Sequence, residues 1–129
     1  MKYLAKIIAS DQDGLQMISA CSSGAKVKVA DIKYLKSSKV FLLSIKRTKI
    51  ENNQEGKKIN SFIRFDFVDK VKSKNIDQSN QEMVIELIGI DYLKNNDDYE
   101  INLIFNNNAH ITLATETIEV RLEDQSEII

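Results

Sequence analysis

Apolar residues recur along this chain at two spacings, and the changes between them mark its elements. Residues 3–9, Tyr-Leu-Ala-Lys-Ile-Ile-Ala, are a short apolar run that predicts a strand. Ser10 follows as an expected helix N-cap, with Asp13 three residues on as a short capping box. Over residues 11–23, Leu15, Ile18 and Cys21 recur at i+3, and Met17 joins Cys21 at i+4. That is one stripe of an amphipathic helix, closed by Ser22, Ser23 and Gly24. Cys21 on this stripe reads as a small core residue. From residue 25 the period becomes two, with Val27 and Val29 on one side and Lys26 and Lys28 on the other. The parity switches at Ile32 and Tyr34, which predicts a bend near Ala30–Asp31.

Lys36-Ser37-Ser38-Lys39 is a turn, and the strand over 40–50 returns with Phe41, Leu43 and Ile45 inward. A polar loop around Gly56 spans 51–58. The strand from residue 61 alternates Ile63, Phe65 and Phe67 inward against Arg64 and Asp66. Residues 83–90, Met-Val-Ile-Glu-Leu-Ile-Gly-Ile, are apolar on both faces, as in a strand covered on both sides, here by a helix. Residues 94–100 are a turn, and 101–105, 106–108 and 109–115 form a hairpin with Ile101, Leu103, Phe105, Ile111 and Leu113 inward. Ile118, four residues before Leu122, predicts a short C-terminal helix over 115–125. The expected class is therefore α+β, mostly β, in one domain over 1–129. About seven antiparallel strands form a two-sheet sandwich or a partly open barrel, with one N-terminal and one short C-terminal helix. Seven antiparallel strands closed by a C-terminal helix is the pleckstrin-homology-like arrangement.

Length agrees with one domain: 129 residues can bury roughly two-thirds of the unfolded surface. The single Cys21 and single His110 leave no intramolecular disulfide and no Cys- or His-rich metal site within one chain. The apolar start is broken by Lys6 and closed by Ser10, Asp11 and Asp13, too short and too charged for a signal peptide. No apolar run approaches about 18 residues. A lone thiol suits a reducing compartment, so the expected location is cytoplasmic. Proline is absent, while Lys, Ile and Asn number 15, 18 and 11, as an A+T-rich genome would favour.

Charge divides the chain sharply: residues 1–74 carry a net +9 and residues 75–129 a net −10, against −1 overall. A basic face for phosphates would produce this. Basic strands paired with acidic strands would also produce it, and Glu86, Glu100 and Glu116 lie where they could stand opposite lysines such as Lys26, Lys28, Lys46 and Lys70.

Chemical motifs are sparse. Glycines at 14, 24, 56 and 89 are too scattered to cradle a phosphate. His110 has no neighbouring nucleophile, and Asp97-Asp98 lacks calcium-loop spacing. Tyr34, Phe62, Phe65 and Phe67 lie among lysines, as single-strand binders require, but alternation sends Phe65 and Phe67 to the core.

Four features together resemble a known family. They are a Leu-x-x-Ile-Ser-Ala helix (Leu15, Ile18, Ser19, Ala20), a Lys-Val-x-Asp-Ile-x-Tyr-Leu strand (Lys28, Val29, Asp31, Ile32, Tyr34, Leu35), a Phe-Asp-x-Val-x-x-Val-x-Ser strand with a following Ile-Asp (Phe65, Asp66, Val68, Val71, Ser73, Ile76, Asp77), and an Ile-Glu-x-x-Leu end (Ile118, Glu119, Leu122). In order and extent the chain is similar to the bacterial, mainly alphaproteobacterial, domain-of-unknown-function family 2948. It departs in lacking a proline near position 36 and in using lysine where the family has arginine. The resemblance implies no assigned activity, no cofactor and no catalytic residue.

The matching positions point to Asp31, Asp66, Ser73 and Asp77, polar residues at bends and strand ends. Such residues cap turns through the backbone, or together line a polar groove. Three function classes follow: a non-enzymatic binding or adaptor module using a sheet edge or groove for a protein partner, a polyanion binder through the basic first half, and a small carboxylate-based enzyme. The absence of nucleophile, metal and phosphate motifs favours the first. It carries no cofactor, no specific nucleic acid and no membrane, and it leaves a homodimer open.

Overall fold

The computed structural model describes residues 4–48 and 58–127. In chain order the elements are β1 (Lys6–Ala9), α1 (Gln12–Ser22), β2 (Lys26–Lys28), a 3-10 turn (Val29–Asp31), β3 (Ile32–Leu35), a second 3-10 turn (Lys36–Ser38), β4 (Val40–Thr48), β5 (Lys58–Phe65), β6 (Val68–Lys74), β7 (Val84–Asn95), β8 (Asp98–Phe105), β9 (His110–Thr115) and β10 (Val120–Glu127). The strands join one antiparallel sheet in the order β1-β10-β5-β4-β2-β7-β8-β9-β6, with β3 pairing β4 off this path. The path stays open, with β1 and β6 at its ends. The described residues are mostly β with one α-helix.

The helix starts one residue later than the N-cap expected at Ser10. Asp11 is extended (φ −146°, ψ −179°), and its Oδ1 accepts the Gly14 N–H at 2.9 Å. A carboxylate there also suits the positive end of the helix. Gly14 lets α1 begin hard against β1, because a Cβ at that position would lie 2.9 Å from the Ala9 Cα. Leu15, Ile18 and Cys21 face the core as the stripe requires. Gly24 (φ +85°) turns the chain out of the helix, and its N–H donates to the Leu87 carbonyl at 2.7 Å.

The expected bend at Ala30–Asp31 is the first 3-10 turn, held to residues 81–83 by Val29 N–H to Met83 O (2.9 Å) and Ala30 N–H to Gln81 O (3.0 Å). The polar loop around Gly56 lies outside the described residues.

Three expectations are corrected. The strand from residue 61 is two strands, β5 and β6, broken at Asp66–Phe67. Phe67 takes a left-handed φ of +60°, so parity flips: Val68 is buried and Phe67 is 44% exposed, contrary to its inward assignment. Three backbone bonds fix this corner: Asp66 N–H to Glu119 O, Glu116 N–H to Phe67 O and Val68 N–H to Lys39 O. Second, the C-terminal helix is strand β10, lodged between β1 and β5. Ile118 and Leu122 stand four apart, which fits a helical turn and a period of two equally well. Pairing on both edges decides for the strand, and Val120 joins them inward. Without that helix the pleckstrin-homology-like closure loses its basis, and the described residues form one open sheet of ten strands where about seven, in a two-sheet sandwich or a partly open barrel, were expected. Third, β7 is covered on one side only. A bulge between Leu87 and Gly89 turns Ile88 outward and Ile90 inward, and the Ile90 N–H donates to Ser19 Oγ on α1 at 2.9 Å. Val84 and Ile88 stay about half exposed on the outer face.

Residues from all these strands and α1 share one core, centred on Phe41, Phe65, Phe105, Leu43, Ile63, Leu87 and Ile101. The Phe41 and Phe65 rings tilt against each other at 6.0 Å.

Candidate functional site

Of the four polar residues singled out from sequence, Asp31 and Ser73 line different cavities, and Asp66 and Asp77 bond to near neighbours in the chain. Asp77 closes a local turn, accepting from the Ser79 N–H (3.0 Å) and Ser79 Oγ (2.6 Å). Those bonds, the hydroxyl's above all, hold its carboxyl below the usual carboxylate range. Asp66, half-buried, accepts from Arg64 Nε at 3.0 Å. Asp31 is exposed on the first 3-10 turn, beside a cavity that Lys26, Lys28 and Lys46 also line. Ser73 lines a different cleft, where its Oγ accepts from Gln78 Nε2 at 3.0 Å.

A buried polar cluster escaped the sequence reading. Arg47 is fully buried, and its Nη2 and Nε donate to Asp124 Oδ2 (2.9 Å) and Oδ1 (3.0 Å). Asp124 also accepts from Ser61 Oγ (2.5 Å) and from the Ala5 N–H (2.7 Å). A bidentate pair with each carboxylate oxygen bonded twice is what a buried charge requires. It binds β4, β5 and β10 to the segment before β1. The signal was present: Arg47 continues the inward parity of Phe41, Leu43 and Ile45, Ser61 that of Ile63 and Phe65, and Asp124 that of Val120 and Leu122.

Part of the charge asymmetry is internal pairing. Lys26 Nζ meets Glu86 at 2.5 Å across β2 and β7, Lys28 meets Glu82 at 3.5 Å, and Lys39 meets Glu116 at 2.7 Å and Asp69 at 3.1 Å. Glu100 stands instead opposite Ala114 and Leu93. The two carboxylates raise the Lys39 ammonium well above the usual lysine range, the bond to Glu116 being the stronger cause.

The cleft that holds Ser73 lies between two strand edges. β3 pairs only β4 and β6 pairs only β9 among the described residues, so each has one open edge. The two flank a cleft of about 230 Å³. Phe41, Ile111 and Val29 form its buried floor, Ile32, Tyr34 and Val71 its half-buried walls, and Ser73, Gln78 and Gln81 its polar rim. One end is closed by Tyr34 Oη donating to the Val68 carbonyl at 2.9 Å, beside the Lys39 ion pairs. The other is closed by the bonds from Val29 and Ala30 to residues 81–83. Exposed Lys33, Lys36, Lys70 and Lys72 flank it on the same two strands and the adjoining turn.

His110 is half-buried on β9 beside a wide depression edged by Asn106, Asn107 and Asn108, and Asp97 and Asp98 are exposed at the β7–β8 turn. Among the described residues no group of three His, Cys, Asp or Glu is placed to hold a metal ion, and no helix is long and apolar enough to cross a membrane.

Neither a curated protein nor a solved structure matches the chain. Residues 5–129 match a family described as a protein of unknown function, DUF2948. The match spans the helix, the bend, the Asp66–Phe67 corner and β10, the parts that shape the cleft and its surroundings. Over nearly its whole length, the chain belongs to the DUF2948 family.

Proposed function

We propose that this protein is a non-catalytic binding module whose partner is a protein, held as an extended acidic segment in the cleft between β3 and β6. The observation that carries this reading is two open strand edges beside one apolar-floored cleft. A peptide laid there gains main-chain bonds from an edge and inserts an apolar side chain over Phe41 and Ile111, which is strand addition. Lys33, Lys36, Lys70 and Lys72 favour acidic residues beside that anchor. The dispersal of Asp31, Asp66 and Asp77 supports a non-catalytic role over a shared carboxylate site. The pairing of Lys26, Lys28 and Lys39 with carboxylates supports a protein partner over a nucleic acid. Cys21, buried and the one cysteine of the sequence, supports a cytoplasmic setting.

The test is selection from a displayed library of ten-residue peptides, followed by backbone amide NMR with the selected sequence. Acidic peptides with an apolar centre should shift the amides of 32–35 and 69–73, and Ser73→Trp, which fills the exposed rim, should weaken them at least ten-fold. Lysine-substituted versions of the same peptides should not bind. Shifts mapping elsewhere, or an unaffected Ser73→Trp variant, would overturn the reading. Concentration-dependent shifts of the same amides without peptide would assign the cleft to a second copy of this chain.

A further inference from the structure

We propose a second site, independent of the β3–β6 cleft: a pocket for a small phosphorylated ligand at the split between β2 and β3. The split has a local cause. The 3-10 turn over Val29–Asp31 lifts the chain away from β4, so β4 is paired at Lys46 by Lys26 and again from Leu43 by Ile32, with no partner on that edge at Ser44 and Ile45 among the described residues. Ser44 and Ile45 both line the opening. The resulting cavity has a volume of about 460 Å³, sufficient for a sugar phosphate.

Its walls are cationic in a way that folding does not reward. Lys26 and Lys46 stand directly opposite in the β2–β4 register, and like charges in that position destabilise a sheet. Lys26 has Glu86 as counter-ion, whereas Lys46 has no ion-pair partner among the described residues. Lys28 is held only by an exposed contact of 3.5 Å to Glu82, which a tighter anion displaces at little cost. Ser44 and Asn60 add neutral hydrogen-bonding groups to the same walls. A phosphate between Lys46 and Lys28 relieves the repulsion. Asp31, on the same wall, repels a bare polyanion but accepts from a hydroxyl. The chemistry thus favours a phosphate that carries hydroxyl groups over inorganic phosphate.

The experiment compares ribose 5-phosphate with inorganic phosphate at constant ionic strength, reading backbone amide shifts and melting temperature. Ribose 5-phosphate should saturate one site, with shifts confined to residues 26–31, 44–46 and 60, and should bind more tightly than inorganic phosphate. Lys46→Gln should raise the melting temperature of the free protein, since it removes the like-charge pair, and weaken ribose 5-phosphate at least ten-fold. Lys70→Gln on the distant β6 should leave affinity within two-fold. Asp31→Asn should erase the advantage over inorganic phosphate. Non-saturating shifts spread over exposed lysines, equal losses in Lys46→Gln and Lys70→Gln, or an undiminished ribose 5-phosphate advantage in Asp31→Asn would each overturn the proposal. The glutamine variants change exposed side chains, so an unchanged amide spectrum establishes that each still folds.

Discussion

Arg47 and Asp124 form a buried ion pair that is costly to break from one side. Truncating Arg47 leaves a carboxylate buried without its counter-charge, a loss of about 3–5 kcal/mol. Arg47→Ala should lower unfolding stability by that amount in urea. Arg47→Met combined with Asp124→Leu should cost clearly less than the sum of the two single changes, because neither charge is then stranded. Additive losses would mean that the two side chains do not act as a pair. Asp77 gives the complementary prediction for pH. Its folded carboxyl lies below the ordinary value of about 3.9, so its contribution is complete above that value and is lost as pH falls through the depressed one. Asp77→Asn should therefore be less stable than the native protein near neutrality, and the gap should close below about pH 4. A gap that persisted into strong acid would assign the effect to something other than the Asp77 charge. Parity already contained the Arg47 pair: three polar residues at inward positions of three strands can be buried only if they meet. No local pattern shows which partner each finds, because that depends on strand order.

The elements legible in sequence were those with one unambiguous period. α1, the bend at Ala30–Asp31, the inward sets of β4 and β5 and the β8–β9 hairpin all follow from spacing alone. Two misreadings have local causes. A spacing of four between Ile118 and Leu122 suits either element type, and only pairing to β1 and β5 resolves it. The Asp66–Phe67 corner is invisible because a left-handed aromatic residue carries no turn signature. Its backbone makes a direct prediction. An L-residue with a Cβ loses about 1–2 kcal/mol in that region, and glycine does not. Phe67→Gly should accordingly be more stable than Phe67→Ala by about 1 kcal/mol, the reverse of the usual order. Chemical denaturation of the two variants checks this, and the ordinary order would remove the corner. Phe65, one strand position before it and fully buried against Phe41, should cost about 3–5 kcal/mol as Phe65→Ala.

At the scale of the molecule, the open sheet leaves places where strand edges have no neighbour, and these are where binding can occur. The candidate polar groove over Asp31, Asp66, Ser73 and Asp77 was half legible. Sequence placed each residue at a bend or strand end, but only the fold separates Asp31 from Ser73 and commits Asp66 and Asp77 to local bonds. The charge asymmetry was legible in amount and ambiguous in meaning until the cross-strand partners were fixed. The binding role assigned to the β3–β6 cleft rests on those two edges being unpaired in the free protein and paired in the complex. Amide hydrogen exchange, with and without a peptide selected for binding, measures both states. The expected result is rapid exchange over residues 32–35 and 69–73 in the free protein, against slow exchange in β4, β5, β8 and β9. On addition of the peptide, protection should appear on one of those two open edges and nowhere else. Edges already protected in the free protein, or protection arising on another strand, would contradict a binding site in this cleft.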